Sequence, residues 1–233
     1  MKRAALSALV IAAVVISGCA KLLQDDFESY TAGEVPGGSI PGSPACDAIE
    51  TVGAATQFSV GPTNAIAGNQ SLNFEPAFAD EVSRIDFLPC EPSGNDHSIR
   101  FRWRGRFQGP SSSPGVQVRI TDGDDQLFRA YLLFNVTRSS IEIGSAGTVN
   151  HTIEGDFSRP HAVVARIVPG TPDQYFIAIA GEGVSASDAA PEGNLSELVD
   201  FRPRDAFLRM LWQSGASVTE TYLVDDVIIE QGQ

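Results

Sequence analysis

The 233-residue sequence predicts an all-β protein, an antiparallel sandwich of two packed sheets. Three observations carry that expectation. The stretch His97–Gln108, HSIRFRWRGRFQ, alternates without a break. Ile99, Phe101, Trp103, Gly105 and Phe107 fall on one side, and Arg100, Arg102, Arg104 and Arg106 on the other, because a strand turns successive side chains to opposite faces. Short apolar runs bounded by Gly, Pro, Asn or Asp recur along the chain, about twelve in all. After the first 25 residues there is no long stretch rich in Ala, Glu, Lys and Leu of the kind that builds helices. A hydrophobic content of 42% is enough for a core, and 22 Gly with 14 Pro suit a turn-rich β protein.

The chain opens outside the expected fold. Met1, Lys2 and Arg3 form a positive start, and Ala4–Ile16 is an apolar run too short to span as a stable membrane helix. Residues 1–18 therefore read as a signal peptide. Ile16, Ser17, Gly18 and Cys19 resemble the lipobox of bacterial lipoproteins, an aliphatic residue and two small ones before Cys. The resemblance implies cleavage before Cys19 and lipidation there, and two or more acyl chains anchor stably to a membrane. Ala20 and Lys21 follow, where that family's sorting rule would place an Asp for inner-membrane retention, so the outer membrane is favoured. Residues 19–24 are expected to be the lipidated Cys and its tether, and 25–233 a single sandwich domain.

Along that domain, strands are expected at Asp25–Tyr30, Gln57–Val60, Ser71–Phe74, Val82–Leu88, His97–Gln108 and Val116–Ile120. Further strands follow at Leu127–Val136, Ser140–Ile143, His151–Ile153, Ala162–Val168, Gln174–Ala180, Phe207–Trp212 and Thr219–Glu230. A turn at Pro169–Pro172 makes one hairpin, and Gly181–Leu195 is a polar insertion. Trp103 alternates with the arginines and belongs in the core; Trp212 is assigned there too.

Cys46 and Cys90 remain once Cys19 is set aside. Outside the cytoplasm an even pair predicts a disulfide. Removing Lys2 and Arg3 with the signal peptide leaves 14 of the 16 Lys+Arg against 29 Asp+Glu, a net charge of −15. Such a surface excludes nucleic acid as a partner and disfavours anionic lipid. Apart from Lys21, all the remaining bases are arginine, whose planar fork suits carboxylates.

Both ends of the domain carry a resemblance. DDFESYTAGEVPGG at Asp25–Gly38 is similar to the opening of concanavalin A-like jelly-roll domains, and TYLVDDVIIE at Thr221–Glu230 to their closing strand. HAVVARIVPGTPDQYFIAIAGE, beginning at His161, resembles the hairpin before that strand. The resemblance implies a jelly-roll sandwich whose first and last strands pair. It leaves function open, since the superfamily includes lectins, glucanases, polysaccharide lyases and silent modules.

It also implies a structural Ca²⁺ between the first and last strands, with Asp26, Glu28 and Asp225 as carboxylate ligands. The bland alternative is a set of solvated edge carboxylates. No cofactor is otherwise required. The arginine ladder has two readings. Bidentate guanidiniums can grip uronates or sulfates of an anionic polysaccharide, with Arg119, Arg129 and Tyr131 extending the patch from nearby strands. Alternatively, cross-strand acids neutralise Arg100, Arg102, Arg104 and Arg106, and the excess of acids favours this. The glucanase run Glu-x-Asp-x-Glu is absent and no lyase triplet is found, so no catalytic residue is assigned. The expected function is an envelope-anchored, non-catalytic module that binds carbohydrate. A structural envelope protein and a polysaccharide lyase are the alternatives.

Overall fold

The computed structural model describes residues 20–40, 46–62, 65–76, 82–94, 96–110, 115–122, 130–185, 188–196, 200–212 and 220–232. Cys19 and Arg129 lie outside them, as does the expected signal peptide. Among the described residues the chain forms fifteen strands. The first five are β1 (Ala20–Asp25), β2 (Ala48–Val52), β3 (Phe58–Gly61), β4 (Ser71–Phe74) and β5 (Arg84–Leu88). Next come β6 (Ile99–Gln108), β7 (Val116–Thr121), β8 (Leu132–Val136), β9 (Ser140–Ser145) and β10 (Thr148–Glu154). The last are β11 (His161–Val168), β12 (Gln174–Ala180), β13 (Glu192–Asn194), β14 (Phe207–Trp212) and β15 (Thr221–Gln231).

They make two antiparallel sheets. One runs β13-β12-β11-β6-β15-β4-β3, with β1 also on β15; the other runs β10-β9-β8-β7-β14-β5-β2. The alternation of β6 holds at all ten positions, apolar side buried and arginine side half-buried. The inward faces meet in one core, where Trp103 of β6 packs edge-on against Phe134 of β8 across the layers at 5.2 Å. Each large apolar side chain buried this way contributes about 1.5–3 kcal/mol. Trp212 is also core, and its indole N–H donates to the Phe74 carbonyl at 3.2 Å.

The N-terminal expectation needs correction. Ala20–Gln24, read as a tether, is most of β1, which pairs with β15. A register shift between Lys21 and Leu23 lets both Leu22 and Leu23 be buried. Asp25–Tyr30, read as the first strand, keeps only Asp25 in β1 and turns from Asp26 onward. Asp25 accepts the Phe27 N–H at 2.8 Å and Asp26 accepts the Glu28 N–H, the Asx-turn chemistry of aspartate. Phe27 stands at φ 58° with its ring buried. The spacing mimics strand alternation, but local side-chain bonds bend the chain instead. The first and last strands do pair, using residues five positions earlier than the motif suggested.

Cys46 and Cys90 form the expected disulfide, with Cα atoms 5.0 Å apart. It joins the ends of neighbouring strands β2 and β5, so it staples an edge strand to the second sheet. Replacing both cysteines by serine is expected to lower stability by about 3–4 kcal/mol, from the entropy of the loop they close. A urea melt of the variant, beside the reduced and oxidised parent, checks this.

Candidate functional site

The arginine ladder lies on the outer face of the first sheet, between β15 and β11. Glu230 sits opposite Arg100 and accepts its Nε at 2.9 Å. A bulge in β15 between Asp225 and Ile228 turns Asp226 outward, at φ 51°. Asp226 then reaches both neighbours, pairing with Arg102 and with Arg104 Nε at 3.2 Å. Arg106 faces the Leu223 position. Arg100, Arg102 and Arg104 therefore have the cross-strand carboxylates of the second reading. Each is a little over one-third exposed, so these pairs add little stability and serve mainly to cancel charge.

Arg119 and Tyr131 do not extend that patch. Arg119 belongs to β7, in the other sheet, and Tyr131 is buried just before β8. The Tyr131 hydroxyl accepts the Arg202 N–H at 3.2 Å, and burial pushes its pKa up. Alternation showed which way Arg119 faced along its own strand; only the pairing shows which sheet that strand joins.

Glu28 and Asp225 converge on one turn. Glu28 accepts the N–H groups of Asn69 and Gln70, at 2.6 and 3.0 Å, and these hold its carboxyl below the usual range. Asp225 accepts Ala67 N–H at 2.8 Å and the Ser71 hydroxyl at 3.1 Å, while burial raises its pKa. These acids fasten the residue 67–71 turn where β15 exchanges partner β1 for β4. Asp26 is exposed and caps its own turn. Both oxygens of Glu28 and of Asp225 accept N–H or O–H donors, and no metal-holding group of three or more His, Cys, Asp or Glu occurs among the described residues. This donor set does not fit a calcium site.

Two buried titratable groups predict the pH profile. Burial raises the Asp25 carboxyl to about 7, with Asp26 and Asp47 adding to the shift. Burial lowers His161 to about 4; its Nε2 meets the Tyr222 hydroxyl at 3.0 Å. The stability from Asp25 is complete below the unfolded value of 3.8 and is lost as pH rises through about 7. That from His161 is complete above 6.5 and is lost as pH falls toward about 4. Asp25→Asn is expected to raise the urea midpoint selectively at pH 8, and His161→Gln to flatten the loss between pH 6.5 and 4. Midpoints measured from pH 4 to 8 decide both.

A site that the motifs did not flag lies on the outer face of the second sheet. Across it, Glu50, Asp86, Arg209, Arg119, Leu133 and Gly144 stand in one register row. Val52, Arg84, Leu211, Gln117, Asn135 and Glu142 form the next. Asp86 and Arg209 are buried and joined by two bonds of 2.8 Å. Arg119 donates to Gln117 Oε1 at 2.7 Å, and Asn135 Nδ2 donates to Glu142 Oε2 at 3.3 Å. Beside these amides is a pocket of about 250 Å³ lined by Gln117, Leu133, Asn135, Gly144, Gly147, Thr148 and Val149. The signal was present in sequence as polar residues between apolar ones, Gln117 between Val116 and Val118 and Asn135 between Phe134 and Val136. Chemically the pocket offers planar amides oriented by hydrogen bonds, with an aliphatic wall.

No family model matches the chain, and no curated protein does. Solved structures do. An endo-1,3-β-glucanase from Streptomyces sioyaensis is 12% identical, with a TM-score of 0.57, over 93% of this chain and 98% of that one. Peanut lectin is 10% identical, with a TM-score of 0.54, over 91% and 97%. The alginate lyase AlgAT5 of polysaccharide lyase family 7 is 9% identical, with a TM-score of 0.52, over 78% and 85%. The chain has the concanavalin A-like lectin/glucanase sandwich fold, which this glucanase, lectin and lyase share. At such identities the likeness shows the fold alone.

Proposed function

We propose that the chain is an envelope-anchored lipoprotein whose sandwich is a non-catalytic carbohydrate-binding module, with glycan held on the outer face of the second sheet. The observation that carries this reading is the amide-lined pocket. Arg119 holds Gln117 by its carbonyl oxygen, which leaves the Nε2 group as the donor that Gln117 offers. Leu133 and Val149 supply apolar surface for the C–H faces of a sugar ring, and a few fixed polar groups on an apolar wall are what orient small ligands. The pocket presents neutral hydrogen-bonding groups, so the ligand class is a neutral glycan. The ladder on the other sheet is matched by Asp226 and Glu230 and plays a structural part.

The same face argues against hydrolysis. Asp86 is clamped by Arg209 and buried, out of reach of a sugar carbon, though Glu50 lies directly opposite in register. Glu142 is four strands away from Asp86, about 19 Å at ordinary strand spacing, whereas paired glycosidase carboxylates stand about 5–10 Å apart. The lipobox-like Cys19 supports the anchor. Loss of alkynyl-palmitate labelling in Cys19→Ser tests that part.

The binding test is a glycan array with residues 20–233, covering laminarin, cello- and xylo-oligosaccharides, alginate and pectin. Neutral glycans are expected to bind, with affinity falling at least tenfold in Gln117→Ala plus Asn135→Ala and unchanged in Arg102→Ala plus Arg104→Ala. Binding of alginate or pectin alone, abolished by the arginine changes, would move the site to the ladder. Silence across the array with the fold intact would leave a structural envelope protein.

A further inference from the structure

We propose that the ligand site continues from the sheet face around the edge strand β10 into a second pocket, so that the module grips a neutral oligosaccharide chain rather than a single sugar. This rests on the carbohydrate-binding reading above and extends it. The second pocket holds about 450 Å³ and is lined by Asn150, His151, Thr152, Ile153, Asp188 and Pro191. It lies between β10, at the edge of the second sheet, and the segment running beside β12, at the edge of the first: Pro191 and Ala189 carbonyls accept the Ile177 and Ile179 N–H groups.

Strand β10 is the shared wall. Its Thr148 and Val149 line the face pocket, and the residues that follow directly, Asn150–Ile153, line the edge pocket. The register of β10 against β9 shifts between Val149 and His151, a bulge at Asn150. Such bulges re-aim side chains at strand edges. Here Val149 lies opposite outward Gly144, while His151 lies opposite inward Ile143. The strand thus feeds both pockets within a few residues. Val149 is 52% exposed on the ridge between them.

The edge pocket has a built back wall. His151 Nε2 and the Tyr175 hydroxyl, one from each sheet, meet at 3.0 Å. Tyr175 is buried, and its ring fits because its register partner is Gly193, where a Cβ would stand 2.7 Å from the hydroxyl. His151 is thereby held in place, with Thr152, Asp188 and the bulged Asn150 around it. Hydroxyl-binding groups beside Ile153 and Pro191 repeat the chemistry of the face pocket. The carboxylate of Asp188 and the net acidic chain repel uronates, which keeps the ligand neutral. Size points the same way: the face pocket alone is below the roughly 300 Å³ at which ligand pockets usually begin, and the pair together is well above it.

The test is calorimetric titration of residues 20–233 with the disaccharide and hexasaccharide of four neutral series: laminari-, cello-, xylo- and mannan-derived. At least one hexasaccharide is expected to bind ten or more times tighter than its disaccharide. Asp188→Ala plus Thr152→Val, both at exposed positions, should remove that length dependence and leave disaccharide affinity unchanged, while Gln117→Ala weakens both ligands. The His151 ring ¹⁵N resonances should shift with hexasaccharide only. A hexasaccharide bound with full affinity by the Asp188/Thr152 variant, with His151 resonances unmoved, overturns the continuous site and leaves the face pocket standing. Failure of all four hexasaccharides to bind overturns the carbohydrate reading and this inference with it.

Discussion

Arg209→Met is expected to destabilise the protein by about 3–5 kcal/mol, among the largest losses available to a single substitution on either sheet surface. Arg209 and Asp86 are neighbours on β14 and β5, and their side chains are only 5% and 3% exposed. The guanidinium donates through Nε and a terminal nitrogen to both carboxylate oxygens, and stacks 5.1 Å from the Phe207 ring. Removing it leaves a carboxylate out of water, with Arg84 as its remaining cation among the described residues, 3.4 Å away, and Glu50 opposite it in register. The cost is that of an uncompensated buried charge, not the net value of the pair. Asp86→Leu combined with Arg209→Met is therefore expected to recover most of the loss, since apolar residues of similar volume replace buried pairs well. A double-mutant cycle by urea denaturation measures it. Equal losses in the single and double variants would mean that packing, rather than charge, is at stake.

Gly105→Ala is expected to cost about 3 kcal/mol, at the upper end for overpacking a core. Gly105 takes an inward position on β6, where every other residue is large: Ile99, Phe101, Trp103 and Phe107. The space above it holds Tyr222 and His161. A Cβ at Gly105 would collide with the Tyr222 hydroxyl and lie 2.9 Å from His161 Nε2. Both rings are buried and fixed to each other, and His161 Nδ1 is further tied to the Arg159 carbonyl at 3.3 Å, so neither can move cheaply. Gly105→Ala combined with Tyr222→Phe removes the colliding oxygen and should recover part of the stability, seen as a higher urea midpoint than for Gly105→Ala alone. No recovery would place the strain in the strand backbone instead.

The class of fold, the disulfide partners and the faces of the central strands were legible in the residues alone. Each rests on local rules: period-two alternation in His97–Gln108 and Val116–Ile120, turn residues between runs, and two cysteines remaining after Cys19. The outward polar positions Gln117, Asn135 and Glu142 alternate with core residues in the same way, but nothing local to them marks a common site. Local spacing misled at Asp25–Tyr30, where Asp26 and Glu28 stand two apart like outward residues of a strand while Asp25 and Asp26 cap turns. Which strands share a sheet emerges with the folded pairing. That pairing separated Arg119 and Tyr131 from the ladder, set Asp226 and Glu230 against Arg100, Arg102 and Arg104, and drew Glu28 and Asp225 to a common turn 41 to 158 residues away along the chain. The physical reason is that side-chain direction is written every two residues, whereas partners are chosen by hydrogen bonds between distant segments and by the fit of one core.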